Sequence, residues 1–326
     1  MFITKSTQKS FYPSSEHLVA PLNLGFRRKD FDVSDMVNVT NVNSVNAAVR
    51  AIFESSYPSE AYKNVARAFN DFAMIYAGSH PDYHACDTPY HDIQHVLDVT
   101  LAVMRLIDGH EKSCEADAQF GAELVATALI SALFHDVGYI RHKNDDDHRD
   151  GAEFTQIHVT RSGQFLADYF TRLKMYREAQ LASKLVQFTG YERPVESLLF
   201  NDPKLQELGY ILGTGDVIAQ MSDRMYLEKC RSCLYPEFVR AGLANSGTTD
   251  QAEAVYQSAD DLLAKTPEFI RSTITQRLDK IFHSVYKYAE VHFGGPNLYL
   301  IAVLKNLEYI EGQLQNRKTS FLRRQR

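Results

Sequence analysis

The 326-residue sequence predicts an all-α fold, one multi-helix domain with a metal site among its central helices. Three observations carry the prediction. From about residue 45, apolar residues recur at i, i+3, i+4 and i+7 almost without interruption. No period-2 run bounded by hairpin turns accompanies them. Histidines and aspartates also break into three of the most apolar helical stretches, where a buried face ordinarily carries Leu or Ala.

The elements follow in order. Residues 1–44 are polar and mixed and read as an N-terminal extension of irregular structure. The domain proper spans 45–316. Its helical patterns run over VNAAVRAIF (45–53), AYKNVARAFNDFAMIYA (61–77), HDIQHVLDVTLAVMRLI (91–107), FGAELVATALISALFHDVGY (120–139), TRSGQFLADYFTRL (160–173) and REAQLASKLVQFTG (177–190). They continue over QAEAVYQSADDLLAK (251–265), STITQRLDKIFHSVYKYAEVHF (272–293) and PNLYLIAVLKNLEYIEGQL (296–314). The breaks between them carry Gly, Pro, Asn and Asp, which interrupt helices for backbone reasons. Residues 317–326, RKTSFLRRQR, form a basic tail, either a solvated end or a contact for an anionic partner.

Composition excludes several classes. Hydrophobic residues make up 44%, enough for a buried core, and the formal net charge of -6 argues against a generally basic nucleic-acid binder. No apolar run reaches the ~18–20 residues of a membrane span, and MFITKSTQKSFYPSS holds no apolar h-region of a secretory signal. Cys230 and Cys233 form a lone CxxC within a helical pattern, so the four cysteines read as reduced structural thiols in a cytoplasmic protein.

The first polar insertion is PYHDIQHVLDV, residues 89–99. With a helix starting after Pro89, His91, His95 and Asp98 fall within roughly 60° of one another on one face. That stripe faces either water or something that takes nitrogen and oxygen ligands. The second insertion is His135-Asp136, at the end of an apolar helix. A carboxylate delivered there is costly unless paired or bound to a cation; taken alone, an Asp capping a neighbouring helix and a satisfied core histidine are the first reading. The third is Asp216 in YILGTGDVIAQMSD, where Gly209, Gly213 and Gly215 let a helix approach a crowded centre. GTG lacks the preceding strand of a phosphate loop. Together His95, His135, Asp136 and Asp216 make a mixed nitrogen and oxygen set that suits Zn²⁺, Fe or Mn²⁺. The two oxygens of Asp136 could serve two ions, a pair able to clamp a phosphoryl oxygen.

These residues carry a resemblance. The H…HD…D pattern of His95, His135-Asp136 and Asp216 resembles the HD superfamily of metal-dependent phosphohydrolases. YHDIQHVLDV resembles the Y-H-N-x-x-H-A-x-D-V signature of the class I cyclic nucleotide phosphodiesterase catalytic domain. Tyr90, His91, His95, Asp98 and Val99 match; Asp92 stands where Asn is usual and Val96 where Ala is usual. The resemblance implies an HD/phosphodiesterase-like fold and two divalent ions. His95, His135, Asp136 and Asp216 would hold the tighter one, Zn or Fe/Mn, and Asp136 would bridge to a second, Mg or Mn. It implies that Tyr90 belongs to the catalytic signature, that His91 is the general acid and that Asp98 orients a histidine. Tyr139 stands where those enzymes usually carry His. His142, Glu153 and His158 are candidates around the second ion, whereas the acidic run Asp145-Asp146-Asp147 reads first as a solvated loop. No clear equivalent of the purine-clamping Gln is present; Gln220 is the substrate-binding candidate, beside Gln276 and Gln313.

The function expected on this basis is a binuclear metal-dependent phosphohydrolase. It would cleave a phosphodiester or nucleotide phosphoester by attack of a metal-bridged hydroxide, with His91 protonating the leaving oxygen. The alternatives are a nucleoside monophosphate phosphatase, a di-iron oxygenase and a non-catalytic sensor module. The partner expected is a small-molecule phosphoester or nucleotide, with no nucleic acid and no membrane; a homodimer stays open.

Overall fold

The computed structural model describes residues 27–246 and 254–316; the first part of the expected extension and the basic tail lie outside the described residues. The chain folds as α-helices: α1 Val42–Glu54, α2 Lys63–Tyr76, α3 Ile93–Ser113, α4 Ala122–Leu133, α5 His158–Arg172, α6 Tyr176–Leu185, α7 Pro203–Ser222, α8 Tyr226–Lys229, α9 Tyr235–Arg240, α10 Ala259–Ser272, α11 Tyr288–Phe293 and α12 Leu298–Gln315. Among the described residues there is no strand, only three isolated β-bridges. No helix among them is long and apolar enough to cross a membrane.

α3 is the central rod. Every residue from His95 to Glu111 is buried, as befits a helix that is covered all round. It packs against α1, α4, α7 and α11. The glycines of α7 explain how close its neighbours come. A Cβ on Gly215 would lie 2.4 Å from Val103 Cγ2 of α3, and one on Gly213 would lie 2.4 Å from the Phe188 carbonyl oxygen. Asp216 is thereby pressed against α3, one residue beyond that contact.

Residues 27–41 of the expected extension belong to the packed body. Val33 and Val39 are buried in the core. Asp32 meets Arg105 of α3 at 2.6 Å, and Arg27 donates to the carbonyl of Ser222 at 2.6 Å. Burying the Asp32 carboxylate is tolerable because it also accepts from Ser34, Met36 and Val37.

Two helical patterns resolve differently from expectation. Among the described residues of the 251–265 pattern, helix begins at Ala259, where Ser258 caps it by accepting from the Asp261 amide; Val255 before it donates to the Leu243 carbonyl. The 272–293 pattern becomes a π-helix over Thr273–Ile281, breaks, and resumes as α11. His283 and Ser284 are left-handed, with φ 52° and 60°. The Asp279 carboxylate pins that turn by accepting from the hydroxyls of Ser284 and Tyr286.

Candidate metal centre

α3 opens with Asp92 as its cap, the carboxylate accepting from the His95 amide at 2.9 Å. The helix therefore starts at Ile93, and the expected common stripe of His91, His95 and Asp98 does not form. His91 sits in the preceding turn. Its Nδ1 lies 2.6 Å from Glu237 Oε2, and Glu237 Oε1 accepts from the Tyr90 amide at 2.6 Å. Glu237, on α9, is fully buried, so one carboxylate fixes both the backbone and the ring of this turn.

α4 ends at Leu133, and the chain turns through His135 and Asp136 into a short 3₁₀ turn. The His135 Nδ1 lies 2.8 Å from the Ala132 carbonyl. A carbonyl only accepts, so Nδ1 carries the proton and Nε2 presents its lone pair. That lone pair points into a cluster. His135 Nε2 is 3.3 Å from His95 Nε2, and both are 3.2 Å from Asp136 Oδ2. Asp216 Oδ1 stands 3.4 Å from His95 Nε2 and 3.7 Å from His135 Nε2. Ligand atoms of His95, His135 and Asp216 all fall within 4.8 Å of one another, and all four residues are buried.

The chemistry of this set fits a cation. Asp136 Oδ2 is buried and makes no hydrogen bond, although two imidazole nitrogens lie beside it. Carboxylates and imidazoles converging away from water need positive charge among them, either a bound cation or protons on the rings. The electrostatics agree. Burial opposes protonation of His95, but Asp136 and Asp216 outweigh it and hold its pKa up at about 10. The same carboxylates raise His135 against its burial. Burial would raise Asp136, yet the neighbouring imidazoles of His135 and His95 keep it well below the usual carboxylate range.

The second oxygen of Asp136 faces a third imidazole. At the start of α5, His158 Nδ1 lies 2.7 Å from the Thr155 carbonyl, which leaves Nε2 as an acceptor 3.8 Å from Asp136 Oδ1. Burial lowers the pKa of His158, which favours the neutral, ligating form. Gly138 makes this approach possible: a Cβ there would lie 1.9 Å from the His158 carbonyl oxygen. Tyr139, buried, packs against two imidazoles whose own ring centroids are 6.1 Å apart. It stacks on His91 at 4.3 Å and 17°, and on His158 at 4.4 Å and 21°.

The remaining sequence candidates are placed as follows. Tyr90 donates its hydroxyl to Gln220 Oε1 at 3.1 Å, and the Gln220 amide donates to Asp216 Oδ1 at 3.4 Å. Gln220 thus braces a ligand carboxylate while lining the cavity beside it. Asp98 does not orient a histidine. Its Oδ1 is buried without a partner, and burial, followed by Asp223 and Asp32, pushes its pKa up to about 7. Glu153 lies away from the centre, because a capping box claims it: it accepts from the Arg149 and Asp150 amides. His142 is exposed and packs on Tyr83 at 4.4 Å. Gln276 is exposed and Gln313 lies on α12; neither lines the cavity. Asp145 accepts from His148 in its loop.

All four cysteines are free, and burial pushes the Cys230 thiol up to about 12. A second group, His110, Glu111 and Cys114, clusters at the far end of α3. There Glu111 is already served by the Tyr57 hydroxyl and the Phe120 amide.

A cavity of about 600 Å³ opens beside the centre, reached by His91, His95, Asp136, His158 and Asp216. Neither the curated proteins nor the solved structures give a match to this chain. A family model described as Npun_R2479-like matches residues 146–295, a span that includes His158, Asp216 and Glu237 but not His91, His95, His135 or Asp136.

Proposed function

We propose that the chain is a binuclear metal-dependent phosphohydrolase acting on a phosphodiester or nucleotide phosphoester. The observation that carries the reading is the Asp136 carboxylate, buried and facing imidazole nitrogens with both oxygens. His95, His135, Asp136 and Asp216 would hold the first ion. Asp136 and His158 would hold the second. Ions bound there supply Lewis acidity toward phosphoryl oxygens and a nucleophilic water at neutral pH. His135 is held in its ligating tautomer by the Ala132 carbonyl, and Asp216 is steadied by Gln220. His91 reaches the same cavity without joining the first cluster, and Glu237 holds its Nδ1. With Nδ1 held by Glu237, it is the doubly protonated ring of His91 that would carry a proton on Nε2 for a leaving oxygen.

The test is elemental analysis of the purified protein followed by a phosphoester panel with Mn²⁺ and Mg²⁺. Stoichiometric metal and hydrolysis are expected; metal-free protein that stays inactive after Mn²⁺ addition refutes the reading. The placement of His158 beside the bridging carboxylate also favours a second reading, a di-iron oxygenase, since histidine at the second position suits iron. Iron as the native metal together with oxygen uptake would select it.

A further inference from the structure

We infer that the ligand of this centre carries an apolar hydrocarbon group, aliphatic or aryl, and that the cavity holds this group through area and not through directed hydrogen bonds. The inference rests on the phosphohydrolase reading for its anchor, a phosphoryl group at the metal ligands. The cavity beyond that anchor is walled by Tyr226, Leu234, Phe238, Leu243, Tyr256 and Leu262. Its volume of about 600 Å³ lies within the range of small-molecule sites that bury most of a ligand.

The polar side chains in the same wall are already engaged. Lys265 donates to Asp261 and to the Val255 carbonyl. Glu192 accepts from the amides of Val159 and Thr160 and from the Thr160 hydroxyl. Gln156 donates to the Ala241 carbonyl. The hydroxyls of Thr155, Thr189 and Thr266 each donate to a carbonyl of their own helix or turn. Gln220 is held between Tyr90 and Asp216. A sugar or a base edge would therefore find few side chains there whose hydrogen bonds are not already directed within the protein, and burying its polar groups against the apolar wall costs free energy. A hydrocarbon loses nothing there. The entrance is apolar too: Tyr191 is 66% exposed and Phe269 38% exposed, and both line the opening.

The experiment measures binding and turnover separately. Methyl-, butyl- and octylphosphonate, which are not hydrolysed, are titrated into Mn²⁺-loaded protein by calorimetry at several temperatures. Affinity should rise by about fourfold for each methylene that becomes buried, at least tenfold from methyl to octyl, with a negative heat-capacity change. Leu243→Glu, checked for folding by circular dichroism, should flatten that dependence. Equal affinities along the series overturn the inference, and so does an unchanged chain-length dependence in Leu243→Glu. Hydrolysis of bis(4-nitrophenyl) phosphate is followed in the same preparation. No hydrolysis with the chain-length dependence intact removes the hydrolase reading and leaves the apolar ligand standing. Hydrolysis with no such dependence removes the apolar ligand alone.

Discussion

Asp98 offers the sharpest test of the electrostatics around α3. Its carboxylate is buried, Oδ1 has no hydrogen bond, and its pKa rises from 3.8 to about 7. Below pH 3.8 the folded and unfolded states both hold the proton, and Asp98 does not affect stability. Between 3.8 and 7 the unfolded chain releases a proton that the folded chain keeps, so stability falls as pH rises, and above 7 the loss is complete. At about 1.4 kcal/mol per tenfold, the displacement corresponds to about 4 kcal/mol. Asp98→Asn removes the titration without changing the shape. In chelator-treated protein the variant should match wild type at pH 4, exceed it by about 2 kcal/mol at pH 5.5 and by up to about 4 kcal/mol at pH 8. The melting temperature at pH 8 should rise by roughly 6 °C. Circular dichroism is the suitable probe, since the chain has no Trp. Loading with divalent metal should shrink the gap, because a nearby cation favours the ionised form. A gap of equal size at pH 4 and pH 8, or a wild type more stable than the variant at pH 8, would refute the reasoning.

Further expectations concern the centre itself. Asp136→Ala should abolish metal retention, read by elemental analysis after gel filtration, and turnover with it. His91→Ala should keep its metal while turnover of an unactivated ester falls by about 10²–10⁴; unchanged turnover would remove His91 as the acid. Glu237→Gln should lower turnover in the same direction and shift the pH–rate profile, because the His91 ring loses its charged partner. Gly138→Ala should displace the start of α5 and weaken the second metal selectively, seen as a biphasic Mn²⁺ titration whose weaker phase is lost.

Much of this was legible in the sequence because polar residues inside apolar helices are conspicuous. His95, His135, Asp136 and Asp216 stand out for that reason, and the structure brings them within reach of one another although Asp216 lies far along the chain. Periodicity also located the main helices. It failed where a single side chain decides the backbone. Asp92 as a cap moved His91 off the helix, and Asp279 broke the 272–293 pattern at His283 and Ser284. Glu153 looked like a carboxylate near a histidine, but its spacing from Asp150 is that of a capping box. Glu237 was invisible, since a Glu after Pro in LYPEF has the local signature of a solvated first turn and only the tertiary packing buries it. Gly138 was equally silent, because its role is a close approach to the His158 carbonyl twenty residues away; Tyr139 stood out only as a departure from the resembled signature, not for its packing on His91 and His158.

The rings of Tyr139, His91 and His158 meet pairwise around one corner of the cavity, the two imidazole centroids 6.1 Å apart. The two imidazoles are therefore not placed independently, since each leans on the same flat side chain. A smaller or rounder residue at 139 would shift both together. On the proposed function, the geometry of acid and second-ion ligand would thus be inherited in part from a phenol ring that is neither of them.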